Sequence, residues 1–123
     1  MPTMKKILLA EDDTFLSGLL KNRLTREGFD VTVVAEGDKV IATVKSMKPD
    51  LILLDIILPG KIGYEILEDL EKAGVKVPFM VISNLGQDED IERAKKYGAI
   101  EYFIKAHIAI DELVKRIAAF LGK

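Results

Sequence analysis

The fold is decided by Leu51-Ile52-Leu53-Leu54-Asp55, a run of four apolar residues that ends at one carboxylate. Turn-forming sequences flank this run, Lys48-Pro49-Asp50 before it and Leu58-Pro59-Gly60 after it. A continuous apolar run between turn signals is typical of a strand that is buried on both faces, in the middle of a parallel sheet. Ligands of open parallel sheets bind beyond the carboxyl ends of the strands, so Asp55 lies where a site is expected.

Four further apolar segments are also predicted to be strands, and amphipathic helical patterns separate them. The predicted strands are residues 5–10, 31–34, 50–55, 77–82 and 100–104. Strands that alternate with helices through short connections form right-handed crossovers and a parallel sheet covered on both faces. We therefore predict one α/β domain with five helices and three layers. Two strand orders are common, 3-2-1-4-5 and 2-1-3-4-5, and in the second the carboxylates of Glu11, Asp12 and Asp55 converge.

Apolar residues recur at spacings of three and four in the helical segments, which predicts the side of each helix that packs on the sheet. This pattern places Phe15 on the buried side of the first helix, Ile62 on that of the third and Phe120 on that of the last. The first helix has cap-forming residues at 12–14. We interpret Asp13 as its start, where a carboxylate is favourable to the helix dipole.

Composition narrows the class of protein. A chain of 123 residues with 49% hydrophobic residues suits one domain with a core. The net charge of −2, with the signs interspersed, disfavours nucleic acid and anionic membrane as direct partners. The absence of cysteine excludes disulfides, thiolate metal sites and a cysteine nucleophile. Only four apolar residues follow Lys5-Lys6, too few for a signal peptide or a membrane span, so we expect a cytoplasmic protein with a loose tail at residues 1–4.

Polar residues at the ends of four predicted strands form one chemical set. The set is Glu11, Asp12, Asp55, Ser83 and Lys105. Neighbouring carboxylates repel one another and raise at least one pKa unless a cation compensates. Mg²⁺ suits them, because it takes one or two carboxylates, keeps several waters and favours phosphate as a further ligand. A hydroxyl and an ammonium group can bind phosphate oxygens, so the set predicts Asp55 as a carboxylate nucleophile that becomes an aspartyl phosphate.

The sequence resembles a receiver domain of the two-component response-regulator family, and in particular the single-domain chemotaxis-type regulators. The resemblance covers nearly the whole chain, with the flavodoxin-like strand order 2-1-3-4-5. The matching segments are Ile7-Leu8-Leu9-Ala10-Glu11-Asp12-Asp13, residues 50–60, Gly63-Tyr64-Glu65, Val81-Ile82-Ser83 and Tyr102-Phe103-Ile104-Lys105.

The resemblance implies a role for each residue of the site. Asp55 is phosphorylated. Asp12 and Asp55 bind Mg²⁺ directly, with Mn²⁺ as a substitute, the Ile57 backbone carbonyl is a third ligand, and Glu11 helps through water. The two remaining members of the set, Ser83 and Lys105, bind the phosphoryl group.

The resemblance also implies a switch and its partners. Tyr102 is similar to the aromatic residue that turns inward when Ser83 is pulled to the phosphate. The phosphoryl donor is a histidine kinase or a phosphotransfer protein, and an output protein binds the fourth helix, fifth strand and fifth helix. The chain is then a monomer or a phosphorylation-dependent homodimer through that face. No output domain follows Lys123 in this sequence, so we expect output by protein contact.

The sequence departs from the family pattern in four places. Asn84 replaces a smaller residue after Ser83, and Ile62 replaces a polar cap before Gly63. Ala106 follows Lys105 in place of proline, and we predict a trans peptide there because a cis bond to a non-proline residue costs about 2.5–4 kcal/mol. Ala109-Ile110 gives the last helix a weakly specified start. His107 is interpreted as a loop residue.

Two positions bear on the lifetime of an acyl phosphate. In the family, the residues two after the phosphorylated Asp and two after the Ser influence attack by water. Here they are Ile57 and Leu85, and neither side chain can orient a water. We therefore expect slow self-dephosphorylation.

The same fold can carry other functions, of which the sequence weakly supports one and argues against two. The departures at Asn84, Ile62 and Ala106 weakly favour a phosphorylation-independent binding or assembly module. A flavin carrier needs a phosphate-binding loop after the first strand, where this chain has acidic residues at 11–13. A dehalogenase-type phosphatase needs a second Asp at position 57, where this chain has Ile.

Overall fold

A computed structural model describes residues 4–122, so three residues of the predicted N-terminal tail lie outside the described part of the chain. Strands and helices alternate along it. The strands are β1 (Lys6–Ala10), β2 (Asp30–Val34), β3 (Leu51–Leu54), β4 (Phe79–Ser83) and β5 (Tyr102–Ile104). The helices are α1 (Thr14–Arg26), α2 (Val40–Met47), α3 (Gly63–Lys72), α4 (Asp88–Lys96) and α5 (Ile110–Phe120). A short 3₁₀ turn, Gly37–Lys39, precedes α2.

The strands form one parallel sheet in the order β2-β1-β3-β4-β5, which confirms the second of the two predicted orders. Ala10 pairs with both Val34 and Leu54, so β1 lies between β2 and β3. The residues after these partners, Glu11 and Asp55, are therefore neighbours at the carboxyl end of the sheet.

Two apolar layers cover the sheet. Alternate strand residues face opposite sides, so Leu8 and Ile52 pack with α2 and α3, whereas Leu9 and Leu53 pack with α1 and α5. All four apolar residues of β3 are at most 1% exposed, as expected for a central strand. The three-layer α/β architecture is thus confirmed.

Three apolar residues lie elsewhere than their helical patterns predicted. Phe15 is 80% exposed, because nine residues at about 100° each place it on the side of α1 opposite the buried Leu24. Ile62 precedes the first turn of α3 and is exposed. Phe120 is the last residue of α5 and is also exposed.

Some element boundaries also differ from the prediction. Strand β4 begins at Phe79, after Pro78, which has no N–H to donate to a ladder. Strand β5 has only three residues, and Ile100 precedes it as an exposed residue. Helix α5 begins after Ala109 without a side-chain cap, as predicted. Among the helices of residues 4–122, none has the length and apolar character needed to cross a membrane.

Candidate functional site

The parallel register brings the predicted site residues to one edge of the sheet. The Asp55 amide donates to the Ala10 carbonyl at 3.0 Å, which fixes the end of β3 beside the end of β1. The Lys105 amide donates to the Ser83 carbonyl at 3.0 Å, which fixes the end of β5 beside that of β4. The two pairs of strand ends face the same edge because all five strands are parallel.

Lys105 joins two buried carboxylates. Its ammonium nitrogen lies 2.7 Å from Asp55 Oδ2 and 2.6 Å from Glu11 Oε1. The side chain of Glu11 is fully buried, and that of Asp55 is 5% exposed. The contact with Asp55 is a hydrogen bond, whereas Glu11 Oε1 has the ion pair but lacks a hydrogen bond within residues 4–122. One ammonium group therefore serves two carboxylates, and a buried oxygen is left with unused acceptor capacity.

Burial and contacts between charged groups together set the direction of the pKa shifts at this edge. Burial raises the pKa of Glu11 from 4.5 to about 7; the charge of Asp55 adds to this, while Lys105 and the Asp13 amide oppose it. Burial alone would lower the pKa of Lys105, but its contacts with Asp55 and Glu11 outweigh burial and raise that pKa. The edge holds more negative charge than its single ammonium group neutralises.

A third carboxylate belongs to the same cluster. Glu11, Asp12 and Asp55 each offer an oxygen, and these oxygens lie within 4.8 Å of one another. Asp12 is exposed, so the cluster opens to solvent on one side. Hard oxygen donors, an incompletely bonded buried oxygen and an open side all suit Mg²⁺, which keeps several waters. These residues therefore fit a divalent cation.

Asp13 lies beside this cluster and has a different role. Its side chain caps α1 by accepting hydrogen bonds from the amides of Phe15 at 3.0 Å and Leu16 at 3.1 Å. Its own amide donates to Glu11 Oε2 at 3.1 Å. The interpretation of Asp13 as the start of α1 is confirmed, and the cap holds Glu11 at the sheet edge.

The segment after Asp55 folds back onto its carboxylate. The Ile57 amide donates to Asp55 Oδ1 at 3.0 Å, while the Ile57 side chain is 55% exposed. Both carboxylate oxygens of Asp55 are thus bonded, one to a backbone amide and one to Lys105.

Ser83 and Tyr102 both contact the segment after β4. The fully buried Ser83 hydroxyl accepts a hydrogen bond from the Leu85 amide at 3.2 Å, and the Tyr102 hydroxyl donates to the Leu85 carbonyl. Burial raises the pKa of Tyr102 to about 12. Leu85 therefore connects the serine at the end of β4 with the half-buried tyrosine of β5.

The residues that depart from the family pattern lie around this edge. Asn84 and His107 are exposed. The peptide between Lys105 and Ala106 is trans, as predicted. Ile62 precedes α3 without a side-chain cap, as predicted.

Sequence reasoning missed how α4 is attached. The buried Tyr64 of α3 donates its hydroxyl to the Asp90 carbonyl at 3.0 Å, and the Arg93 guanidinium carbon lies 4.0 Å from the Tyr64 ring centroid. A tyrosine on a buried helix face needs a hydrogen-bond partner for its hydroxyl. Tyr64 therefore indicated in the sequence that some neighbouring element supplies an acceptor. It did not specify α4 as the partner.

Comparisons with known proteins identify the family. Residues 7–118 match the family described as "Response regulator receiver domain". The chain belongs to this family. It is 34% identical over 124 residues to the DNA-binding response regulator MtrA of Mycobacterium tuberculosis, a match that covers 100% of this chain and 54% of MtrA. It is 35% identical over 118 residues to the cell cycle response regulator CtrA of Brucella ovis, covering 96% of this chain and 50% of CtrA.

Solved receiver structures share the fold. The BeF3-activated N-terminal receiver domain of Klebsiella pneumoniae RstA has a TM-score of 0.86 and 31% identity, over 97% of this chain and 100% of that one. A CheY-like receiver domain protein from Methanospirillum hungatei has a TM-score of 0.88 and 27% identity, over 98% and 95%. The receiver domain spans about half the length of the curated relatives that it matches.

Proposed function

We propose that this receiver domain accepts a phosphoryl group on Asp55 from a phosphohistidine, and that the modification changes the surface offered to a protein partner. The observation that carries the proposal is the contact of the Lys105 ammonium with the Asp55 carboxylate at 2.7 Å, beside the cluster of Glu11, Asp12 and Asp55. This edge supplies a nucleophile, a cation for phosphate oxygens and a set of oxygen ligands for Mg²⁺.

Each residue at this edge of the sheet has a separate role in the phosphoryl transfer. An oxygen of Asp55 attacks phosphorus, the new P–O bond forms, and the P–N bond to the histidine breaks with its electron pair returning to nitrogen. Lys105 and Ser83 bind the phosphoryl oxygens. Asp12, Asp55 and the Ile57 carbonyl would hold Mg²⁺ or Mn²⁺, with Glu11 acting through water. When bound, the cation neutralises charge on the transferring group.

The switch would run through the segment after β4. A phosphoryl group that draws the Ser83 hydroxyl toward Asp55 competes with the hydrogen bond from the Leu85 amide. Leu85 also accepts the hydrogen bond of Tyr102, so a shift of this segment releases that side chain. The affected surface is α4, β5 and α5, where we place the output protein or the second chain of a phosphorylation-dependent homodimer.

The partners follow from the same chemistry. The donor is a histidine kinase or a phosphotransfer protein. The matched relatives include a regulator named as DNA-binding, and this chain aligns with only about half the length of each relative. We expect the receiver domain itself to contact protein and not nucleic acid, because its charges are interspersed and sum to −2.

Intact mass spectrometry tests the proposal. The wild-type chain is incubated with phosphoramidate, a small P–N donor, or with acetyl phosphate, each with Mg²⁺ and with a chelator. We expect one phosphoryl increment that requires Mg²⁺. Asp55→Asn should abolish it, since the amide is not a nucleophile here, whereas Asp30→Asn, a matched change at an exposed carboxylate, should leave it intact.

The outcomes separate the candidate functions. An increment that persists in Asp55→Asn would assign phosphorylation to another residue. No increment in a folded wild-type chain that binds Mg²⁺ would favour the phosphorylation-independent binding module, and would direct attention to Asn84 and Ala106. A wild-type chain that binds no Mg²⁺ would refute the proposed role of the acidic cluster.

A further inference from the structure

The segment before α2 is in direct backbone contact with the loop that follows Asp55. The Gly37 amide donates to the Pro59 carbonyl at 2.8 Å. A Cβ atom on Gly37 would lie 1.9 Å from the Lys61 carbonyl oxygen and 2.7 Å from the Lys61 carbonyl carbon. Real Cβ atoms essentially never show such distances, so only glycine permits this approach. The φ angle of Gly37 is not positive, and the contact alone therefore requires a glycine.

The same loop is held at several other points. The Gly63 amide donates to the Ile56 carbonyl at 2.7 Å, and Leu58 is buried. The Lys61 ammonium pairs with Asp69 of α3 at 2.5 Å. The loop between Asp55 and α3 is thus fixed to the sheet, to α3 and, through Gly37, to the segment before α2.

Ile57 depends on these anchors. Its side chain is 55% exposed and holds the loop only weakly, while its amide is bonded to Asp55. Its carbonyl is one of the proposed ligands for Mg²⁺. The position of that carbonyl is set from one side by Asp55 and from the other by residues 58–61, of which Gly37 contacts Pro59 and Lys61.

We propose that Gly37 is a positioning residue for the metal site, acting through the backbone of residues 59–61 on the Ile57 carbonyl. The inference rests on the proposed function. An alanine at position 37 would force the Lys61 carbonyl to move by about 1.5 Å to reach the ordinary contact distance of 3.4 Å. The clashing atoms belong to the backbone, so the loop itself must shift.

A Mg²⁺ titration followed by ¹H–¹⁵N NMR tests this role. Residues that orient a metal ligand typically change metal affinity by about 10- to 100-fold when they are altered. We expect Gly37→Ala to weaken Mg²⁺ binding within that range. Gly18→Ala, where the added Cβ meets nothing within 4 Å, is the matched control and should bind Mg²⁺ as the wild type does.

The rate of phosphorylation by acetyl phosphate, measured as a function of Mg²⁺ concentration, is a second test. The Mg²⁺ concentration needed for the half-maximal rate should rise in Gly37→Ala, while the rate at saturating Mg²⁺ is retained, because Asp55 and Lys105 are unchanged. A merely structural defect would instead lower the rate at every Mg²⁺ concentration, and that pattern would overturn the inference.

A second variant covers the case in which Gly37→Ala fails to fold. Gly60 lies in the same loop and has a φ of +88°, which strains any residue with a Cβ. A Cβ atom there would also meet the flexible Asp38 carboxylate. Gly60→Ala should therefore strain this loop without a clash against another backbone segment. We expect the Mg²⁺ requirement to rise in this variant too. A folded Gly37→Ala chain that binds Mg²⁺ like the wild type would overturn the inference, and so would a folded Gly60→Ala chain that does so where Gly37→Ala does not fold. A wild-type chain that binds no Mg²⁺ would instead refute the proposed function itself.

Discussion

The two ends of strand β3 are equally buried and chemically opposite. Leu51 at its start is 0% exposed, and Asp55 just after its end is 3% exposed. Leu51 packs among apolar side chains of the α1 and α5 layer, whereas Asp55 contacts Lys105 beside a second buried carboxylate. Burial thus contributes to the stability of the fold at one end and costs free energy at the other, because charges have been removed from water.

This difference separates the residues that hold the fold from those that we propose to carry the chemistry. We expect changes in the apolar part of the strand to cost stability alone. The polar end keeps groups whose electrostatics are unfavourable without the cation or the phosphoryl group that we propose for this site. If the two ends are independent, a change at one end should leave the property that depends on the other end intact.

The largest effect is expected at the apolar end. Leu51→Ala should lower the free energy of unfolding by about 2–5 kcal/mol, the usual cost of truncating a fully buried leucine. Urea denaturation measures this loss. Phosphorylation of the folded fraction should persist, because Leu51 lies about 13 Å along the strand from Asp55.

Phe15→Ala provides the comparison for this variant. Phe15 is 80% exposed, so its truncation should change stability by less than about 0.5 kcal/mol. A loss in Leu51→Ala no larger than that of Phe15→Ala would contradict the assignment of β3 as the centre of the core. Loss of phosphorylation in a folded Leu51→Ala chain would show that the two ends are coupled.

The next effect is expected at Glu11 and depends on pH. Its folded-state pKa, raised to about 7, exceeds the value of 4.5 expected when unfolded, so the folded chain binds the extra proton. The stability that this proton contributes is present below pH 4.5 and is lost as the pH rises through about 7. Without Mg²⁺, this group should remove at most about 3 kcal/mol of stability over that window.

Glu11→Gln isolates this effect. Glutamine keeps the shape and does not titrate, so the fall in stability between pH 4.5 and pH 8 should be smaller than in the wild type, as measured by thermal or urea denaturation at each pH. Mg²⁺ should reduce the fall in the wild type, because a cation favours the ionised carboxylate. An identical pH dependence in both proteins would mean that Glu11 is not the group responsible.

Much of the fold follows from the sequence because local patterns and global arrangement agree. The four apolar residues before Asp55 predicted a central strand, and the alternation of strands and helices predicted the parallel sheet. Periodicity alone gave the wrong side of α1 for Phe15. Steps of three and four residues can be chained from one apolar residue to the next, and over nine residues such a chain reaches the opposite side of the helix. The resemblance to the family then specified the strand order that residue patterns had left open.

The site was less completely predictable than the fold. Strand ends predicted which polar residues share an edge, including Glu11, Asp55 and Lys105, because parallel register brings them together. The sequence did not indicate that Lys105 contacts both carboxylates or that Gly37 touches the Lys61 backbone. Such contacts depend on backbone positions in loops of distant parts of the chain, which side-chain periodicity does not encode.

The smallest predicted effect concerns Ile57 and the lifetime of the aspartyl phosphate. Its exposed side chain stands two residues after Asp55 and cannot hydrogen-bond a water. Ile57→Asn should accelerate loss of the phosphoryl group by about tenfold, equivalent to about 1.4 kcal/mol in the barrier, because the amide can orient a water for attack. Decay of the phosphorylated mass after removal of the donor measures this rate.

Two further variants decide what a change in decay means. Ile57→Leu keeps an apolar side chain and should decay as the wild type does. Leu85→Glu is the corresponding change after Ser83, but Leu85 contacts both Ser83 and Tyr102 through its backbone, so its decay rate also reports any shift of that segment. If Ile57→Asn decays at the wild-type rate, water access is limited elsewhere, and the polar end of β3 controls formation of the acyl phosphate without controlling its lifetime.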